Sequence, residues 1–298
     1  MNRSVMFSLR GICLTLFVFA YSAGISHADA TLRWKFTAGA KSKYQSEMVQ
    51  KTEFNGQGFD SKTVMDFTVE VKSVDSAAGT ADVSVKYTRM QMKMDNPAMP
   101  IDVDTNKKED KDSDDPMKKL FTTMLQSEVI LTVNELGEIK KTKVPDDVKK
   151  AIEGAGPMAQ QMSFLTEEGM KGAAGLFTFP KEAVANGKTW TQESKMDTPQ
   201  IAVKTTTEYT YKGTTSEKGS TFEKIGVKPT ISFESKGGFD MKVSKQSSEG
   251  TILFDANAGR IHDSNSTQKL SLSIDAGGQQ MEMSSETKTS LKLVEDKK

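Results

Sequence analysis

Apolar and polar residues alternate with a period of two over most of the chain beyond residue 30, the pattern of strands that bury one face. Met65, Phe67, Val69 and Val71 share one parity, while Asp66, Thr68, Glu70 and Lys72 take the other. The pattern returns at Ile201, Val203, Tyr209 and Tyr211, at Phe239, Met241 and Val243, at Leu270, Leu272 and Ile274, and at Met281, Met283, Leu291 and Leu293. Turn signals separate the runs: Asn55-Gly56, Asp75 through Gly79, Glu135-Leu136-Gly137, Gly237-Gly238, Asn257-Ala258-Gly259 and Gly277-Gly278. Each supplies a residue tolerant of positive φ, as a hairpin needs. The pattern therefore predicts an antiparallel meander. Runs this long twist and coil, so the sheet is expected to be strongly curved.

One run changes parity. Val83, Val85 and Tyr87 occupy odd positions, whereas Met90, Met92 and Met94 occupy even ones. That implies either a β-bulge or a strand whose two ends bury opposite faces, and the second option suits a curved sheet with something packed in its hollow.

Helical spacing interrupts the strands midway. Leu120, Phe121, Met124 and Leu125 fall on one helical face within 116–125, and Pro145-Asp146-Asp147 opens a second short helix. Residues 157–177 place Met158, Met162, Leu165 and Met170 among Gly169, Gly172 and Gly175, a composition suited to a lid rather than a rigid helix. Residues 102–115 are dense in Asp and Lys and read as a solvated loop. The expected fold class is mainly β with a helical insert: a long, curved, half-barrel-like antiparallel sheet with short helices packed in or over its hollow. The organisation is an export signal over 1–30 and one β-rich domain over 31–298. Within that domain, 31–143 carries the N-terminal strands, 144–180 the helical insert and 181–298 the C-terminal strands.

The start of the chain bears on compartment. Arg3 and Arg10 precede an apolar run over 11–25, and Ala28-Asp29-Ala30 supplies small residues before a cut after Ala30, the pattern of a secretory signal. Periplasmic or secreted localisation is expected. Cleavage there removes Cys13, the only cysteine, and His27, so His262 is the one histidine left. Cys13 lies inside the apolar run, not at the cut, which argues against a lipid anchor. No later apolar run is long enough for a transmembrane helix.

Composition excludes more than it suggests. The first 30 residues hold two of the 40 basic and one of the 40 acidic residues, so the remainder lies within one charge of neutrality and nucleic acid is not an expected partner. Asp102, Asp104 and Asn106 match the opening of an EF-hand loop, but Lys107 and Ser113 stand where glycine and bidentate glutamate are required. His262-Asp263-Ser264 cannot form a relay if consecutive strand residues face opposite ways. Asn265-Ser266-Thr267 fits a glycosylation acceptor, a match that in a bacterial protein would be chance. No metal, cofactor or catalytic residue is therefore assigned. All but two of the 17 methionines lie beyond the signal. Unbranched thioethers build either an inner sheet face or an adaptable apolar binding surface, with copper(I) ligation a third reading. Met90, Met92, Met94, Met158, Met162 and Met170 are the candidate ligand-contacting residues.

Three stretches carry a resemblance: Leu32-Arg33-Trp34-Lys35-Phe36 followed by Gly39, Ala185 through Trp190, and Gly250 through Asp255 leading to Gly259-Arg260-Ile261. They resemble those of an uncharacterised exported bacterial β-rich family, a domain of unknown function, whose motifs are structural and transfer no site. The order of elements is also similar to the half-barrel of periplasmic lipoprotein carriers, a curved sheet with helices in its hollow, and fold does not fix function. The leading expectation is a non-catalytic exported protein holding a hydrophobic or lipid-like ligand in that hollow. The alternative is a cell-envelope or matrix interaction protein with an envelope protein partner and no small ligand. A carboxylate-dependent hydrolase comes third.

Overall fold

The computed structural model describes residues 29–97, 100–111, 113–154, 177–197, 201–236, 239–276 and 278–294. The strands are β1 (Lys41–Phe54), β2 (Gln57–Asp75), β3 (Thr80–Met94), β4 (Ile101–Asp104), β5 (Val129–Asn134), β6 (Ile139–Lys143), β7 (Thr189–Asp197), β8 (Ile201–Glu217), β9 (Ser220–Ser235), β10 (Phe239–Asp255), β11 (Arg260–Ala276) and β12 (Gln279–Val294). The helices are α1 (Lys108–Lys111), α2 (Pro116–Gln126) and α3 (Asp146–Gly154). All strands join one 12-stranded sheet in the order β6-β5-β3-β2-β1-β12-β11-β10-β9-β8-β7, with β4 added beside β3. Every pairing is antiparallel. The sheet ends in β6 on one side and β7 on the other, so it is open and not a barrel.

Local chemistry fixes the hairpins. Phe54 pairs with Gln57, which leaves Asn55 and Gly56 as a two-residue loop with φ of 49° and 79°. Glu217 pairs with Ser220 across Lys218 and Gly219, with φ of 49° and 84°. Two consecutive positive φ values define the tight turn whose twist matches that of the flanking strands.

The parity change in β3 is a bulge. Asp66 pairs with Arg89 but Phe67 pairs with Tyr87, so Thr88 is the extra residue. The bulge keeps Met90 on the same face as Tyr87 and Val85, because Met65 opposite Met90 and Phe67 opposite Tyr87 share parity in β2. The two ends of the strand therefore bury one face, not two.

The ladder between β9 and β10 is interrupted differently. It runs only from Glu223 opposite Phe254 to Val227 opposite Gly250. Two residues on, Pro229 has no N–H to donate, and at Ile231 the Gln246 side chain takes over: its amide oxygen accepts from the Ile231 N–H at 2.9 Å and its nitrogen donates to the Ile231 carbonyl at 3.1 Å.

Helices cover one end of the inner face. Met117, Leu120, Phe121 and Met124 of α2 form a buried core with Met90, Val103, Val129, Leu131 and Val133, joined by Val148 of α3. Asp115 caps α2, its carboxylate accepting from the N–H groups of Met117 (2.9 Å) and Lys118 (3.1 Å), and Pro116 needs no N–H at that position. A second core at the other end gathers Trp34, Phe177, Phe179, Tyr209, Tyr211, Ile225 and Phe254.

Residues 102–115 are not simply a solvated loop. Ile101 and Val103 alternate with Asp102, and β4 pairs with the end of β3. Val103 is buried, and Asp104 is buried too because Arg89 engages it from the neighbouring strand. The acidic density masked a short strand whose apolar positions were only two.

Candidate functional site: an apolar hollow

Two cross-ties hold the curl of the sheet. In the segment before β1, the Trp34 N–H donates to the Glu135 carbonyl at 2.9 Å, in the β5–β6 turn, and the Lys35 N–H donates to the Gly259 carbonyl at 3.2 Å, in the β10–β11 turn. Phe179 adds a third tie, donating to the Leu136 carbonyl at 2.8 Å. Turns at distant places in the strand order are thus strapped together across one end of the hollow. The Trp34 indole N–H donates to the Phe177 carbonyl at 3.2 Å, which fixes the ring at the base of the strap.

Beneath the strap lies a cavity of about 290 Å³. Met65, Phe67 and Val69 of β2, Val83, Val85 and Tyr87 of β3, and Leu131 of β5 form one wall. Trp34, Tyr44, Ile252, Ile261 and Leu291 close the other, with the small polar side chains of Ser46, Ser264 and Thr289 between them. Leu131 on β5 and Ile252 on β10 are separated by six strand-to-strand steps, which on a flat sheet would set them roughly 29 Å apart. Their meeting around one cavity measures how far the sheet is curled. No Asp, Glu, Lys or Arg lines it.

Besides Ser46, Ser264 and Thr289, two tyrosines bring hydroxyls to the lining. Tyr44 donates to the Ile261 carbonyl at 3.0 Å, and burial pushes its pKa up to about 12, so it stays a donor at any physiological pH. Its ring stacks on Phe67 at 5.7 Å, and Phe67 in turn contacts Tyr87 at 5.9 Å. Burial likewise raises the Tyr87 phenol, which makes no hydrogen bond among the described residues.

A second cavity of about 190 Å³ adjoins the first, sharing Ile252 and Ser264. It lies towards β7 and β8, and its lining is more polar: Gln192, Ser194, Thr207 and Ser266 stand beside Phe177, Tyr209 and Val227. The Gln192 amide oxygen accepts from the Thr178 N–H at 3.0 Å and from its hydroxyl at 3.3 Å. Trp190 stacks on Tyr209 at 5.5 Å and donates to the Thr178 carbonyl at 2.9 Å.

The methionine candidates do not converge on the cavity. Met90 is 3% exposed in the core beneath α2, and Met92 packs partly buried against that core. Met94 is half-buried at the end of β3, and none of the three lines the cavity. Met158, Met162 and Met170 lie outside the described residues. Met65 is the methionine that does line it. The signal for the site was the Met65-Phe67-Val69 and Val83-Val85-Tyr87 alternation, read in the sequence only as a buried sheet face.

Asp104 and Asp102, the first two residues of the calcium-like spacing, are engaged by cations. Arg89 grips Asp104 through Nε at 3.3 Å and Nη2 at 2.9 Å, and this pairing holds the carboxyl below its usual range. Asp102 faces Lys107 at 3.7 Å. Among the described residues no cluster of three or more His, Cys, Asp or Glu is placed to hold a metal. His262 sits at a bulge and stacks on Phe222 at 4.3 Å.

An open, curled antiparallel sheet with helices at one end and a strapped apolar hollow defines a half-barrel-like β protein. The chain belongs to a family of unknown function, DUF6263, whose model matches residues 78–261, more than half of its length. No curated protein matches the chain in sequence. Among solved structures it is similar to one of lipid–protein interactions in lipovitellin, at 11% identity and a TM-score of 0.46, covering 88% of this chain and 26% of that one. The chain thus spans about a quarter of the lipovitellin chain. An outer membrane channel from Pseudomonas putida F1 matches at 7% identity and a TM-score of 0.24, covering 90% of this chain and 100% of that one. A DUF1329 family protein from Desulfovibrio piger ATCC 29098 matches at 8% identity and a TM-score of 0.14, with 87% and 88% covered. All three likenesses are weak, and none bears on what the chain binds.

Proposed function

We propose that this is an exported, non-catalytic protein that binds a hydrophobic or lipid-like molecule in the hollow of its sheet. The observation that carries the reading is the 290 Å³ cavity walled by aromatic and branched side chains with no charged residue among them. Its volume is about that of the smaller ligand pockets, and apolar surface placed against its walls gains roughly 25 cal/mol per Å² removed from water. Export rests on the N-terminal pattern of Arg3, Arg10 and Ala28-Asp29-Ala30.

Native mass spectrometry of the protein purified from its own host tests the proposal. The expected spectrum contains a bound species that organic solvent extracts. A filling variant, Val85→Trp, should lose that species while keeping the fold. A wild-type protein that carries nothing and takes up no apolar probe would overturn the reading.

A further inference from the structure

Building on that proposed reading, we infer that the ligand is an amphiphile with one hydrocarbon chain and an uncharged, hydroxyl-bearing head group. The two adjoining cavities differ in character along a single trough. The larger, under the strap, is apolar apart from the hydroxyls of Ser46, Ser264 and Thr289, the Tyr87 phenol and the Tyr44 phenol, which is already bonded to the Ile261 carbonyl. At about 290 Å³ it holds roughly ten water volumes, room for one chain of moderate length and not two.

The smaller cavity supplies hydrogen-bonding side chains without charge: Gln192, Ser194, Thr207 and Ser266. Ser264 stands where the two cavities meet. The polarity of Gln192 is fixed by its neighbours. Because the Thr178 N–H donates to it, the oxygen must face Thr178, and its NH₂ group makes no hydrogen bond among the described residues. That amide is a donor, and Tyr87, which lines the larger cavity, carries a second.

Donors of this kind suit ester and hydroxyl oxygens. A carboxylate or an ammonium group would find no counter-ion in the lining of either cavity to offset the hydration it gives up on entering. The same argument disfavours a phosphate head held inside the trough. A monoacylglycerol-like molecule satisfies both halves: chain under the strap, glycerol-like head among Gln192, Ser194, Thr207 and Ser266.

Three probes that share one chain length separate the terms. Monodecanoylglycerol, decanoate and decyltrimethylammonium are titrated into the delipidated full chain below their micellar concentrations, with binding followed by calorimetry. The neutral probe should bind at least about tenfold more tightly than either charged one, since burying an unpaired charge costs far more than a satisfied hydroxyl. Gln192→Glu retains the acceptor for Thr178 and replaces the free donor with charge. It should weaken the neutral probe about tenfold and strengthen the cationic one. Should that variant fail to fold, Ser194→Asp at an exposed position on the same rim serves, with the same expected direction. Equal affinity for all three probes, or a preference for a charged one, would overturn the head-group inference while leaving the proposed apolar site standing. Binding of none of them would remove both.

Discussion

Gly137 shows how a single position ties the turn to the hollow. Its φ is +87°, in the region L side chains avoid, and a Cβ there would meet the Phe177 carbonyl and stand 2.6 Å from the Trp34 indole nitrogen. Replacing it strains the turn and displaces the base of the strap together. Gly137→Ala is expected to cost about 2 kcal/mol or more, read from the urea midpoint. The turn itself was legible in Glu135-Leu136-Gly137. Its second role was not, because Trp34 and Phe177 are distant in sequence. At Asp104 the Arg89 pairing depresses the carboxyl, so the folded state binds its proton less readily than the unfolded chain does. Its contribution is fully present above the unfolded carboxylate value of about 3.9 and is lost as pH falls through the lower folded value. Asp104→Asn should therefore flatten the acid limb of the stability curve, with a loss of about 1–3 kcal/mol at neutral pH, measured by denaturation at stepped pH.

Among the elements, β3 does most to decide which face of the sheet is apolar. The bulge at Thr88 lets Val83, Val85 and Tyr87 line the hollow while Met90 joins the core beneath α2. Deleting Thr88 would remove the extra residue and leave Val83, Val85, Tyr87 and Met90 in strict alternation on the same face, whereas inserting one alanine after Tyr87 would push one end of the strand out of register and turn it inside out. The insertion variant is expected to lose cooperative unfolding, whereas the Thr88 deletion should keep it and Thr88→Val, which keeps the residue count, should change stability by less than about 1 kcal/mol. Calorimetric melting distinguishes them. The parity change was visible in the sequence, but a bulge and a two-faced strand give the same pattern there. Only the pairing partners, Arg89 with Asp66 and Tyr87 with Phe67, separate the two. Strand β4 was hidden for a related reason: two apolar residues flanked by carboxylates carry too little periodicity to outweigh their charge. Helix α2 was legible because its buried residues fall at helical spacing and its proline marks the start.

Across the whole molecule, the antiparallel meander and its curl followed from alternation, turn residues and strand length, but closure of the hollow did not. The strap depends on backbone bonds from Trp34 and Lys35 to turns about a hundred and more than two hundred residues away, and no local pattern encodes them. The same holds for the cavity, whose walls come from strands six steps apart in the sheet. The methionine-rich end of β3 drew attention by composition, and the fold spends Met90 on packing α2 instead. The sheet stays open, and its β6 edge is short and carries Lys140, Lys141 and Lys143, a composition that discourages further pairing. Trp34 lines the cavity and Trp190 is the only other tryptophan, so a Trp190→Phe chain reports on the hollow through one fluorophore. The most direct measurement is quenching of that fluorescence by a neutral monoacylglycerol brominated on its chain. Binding in the hollow predicts saturable quenching that the unbrominated molecule competes away and that the added substitution Val85→Phe weakens. Quenching that never saturates, or that is indifferent to both, would contradict it.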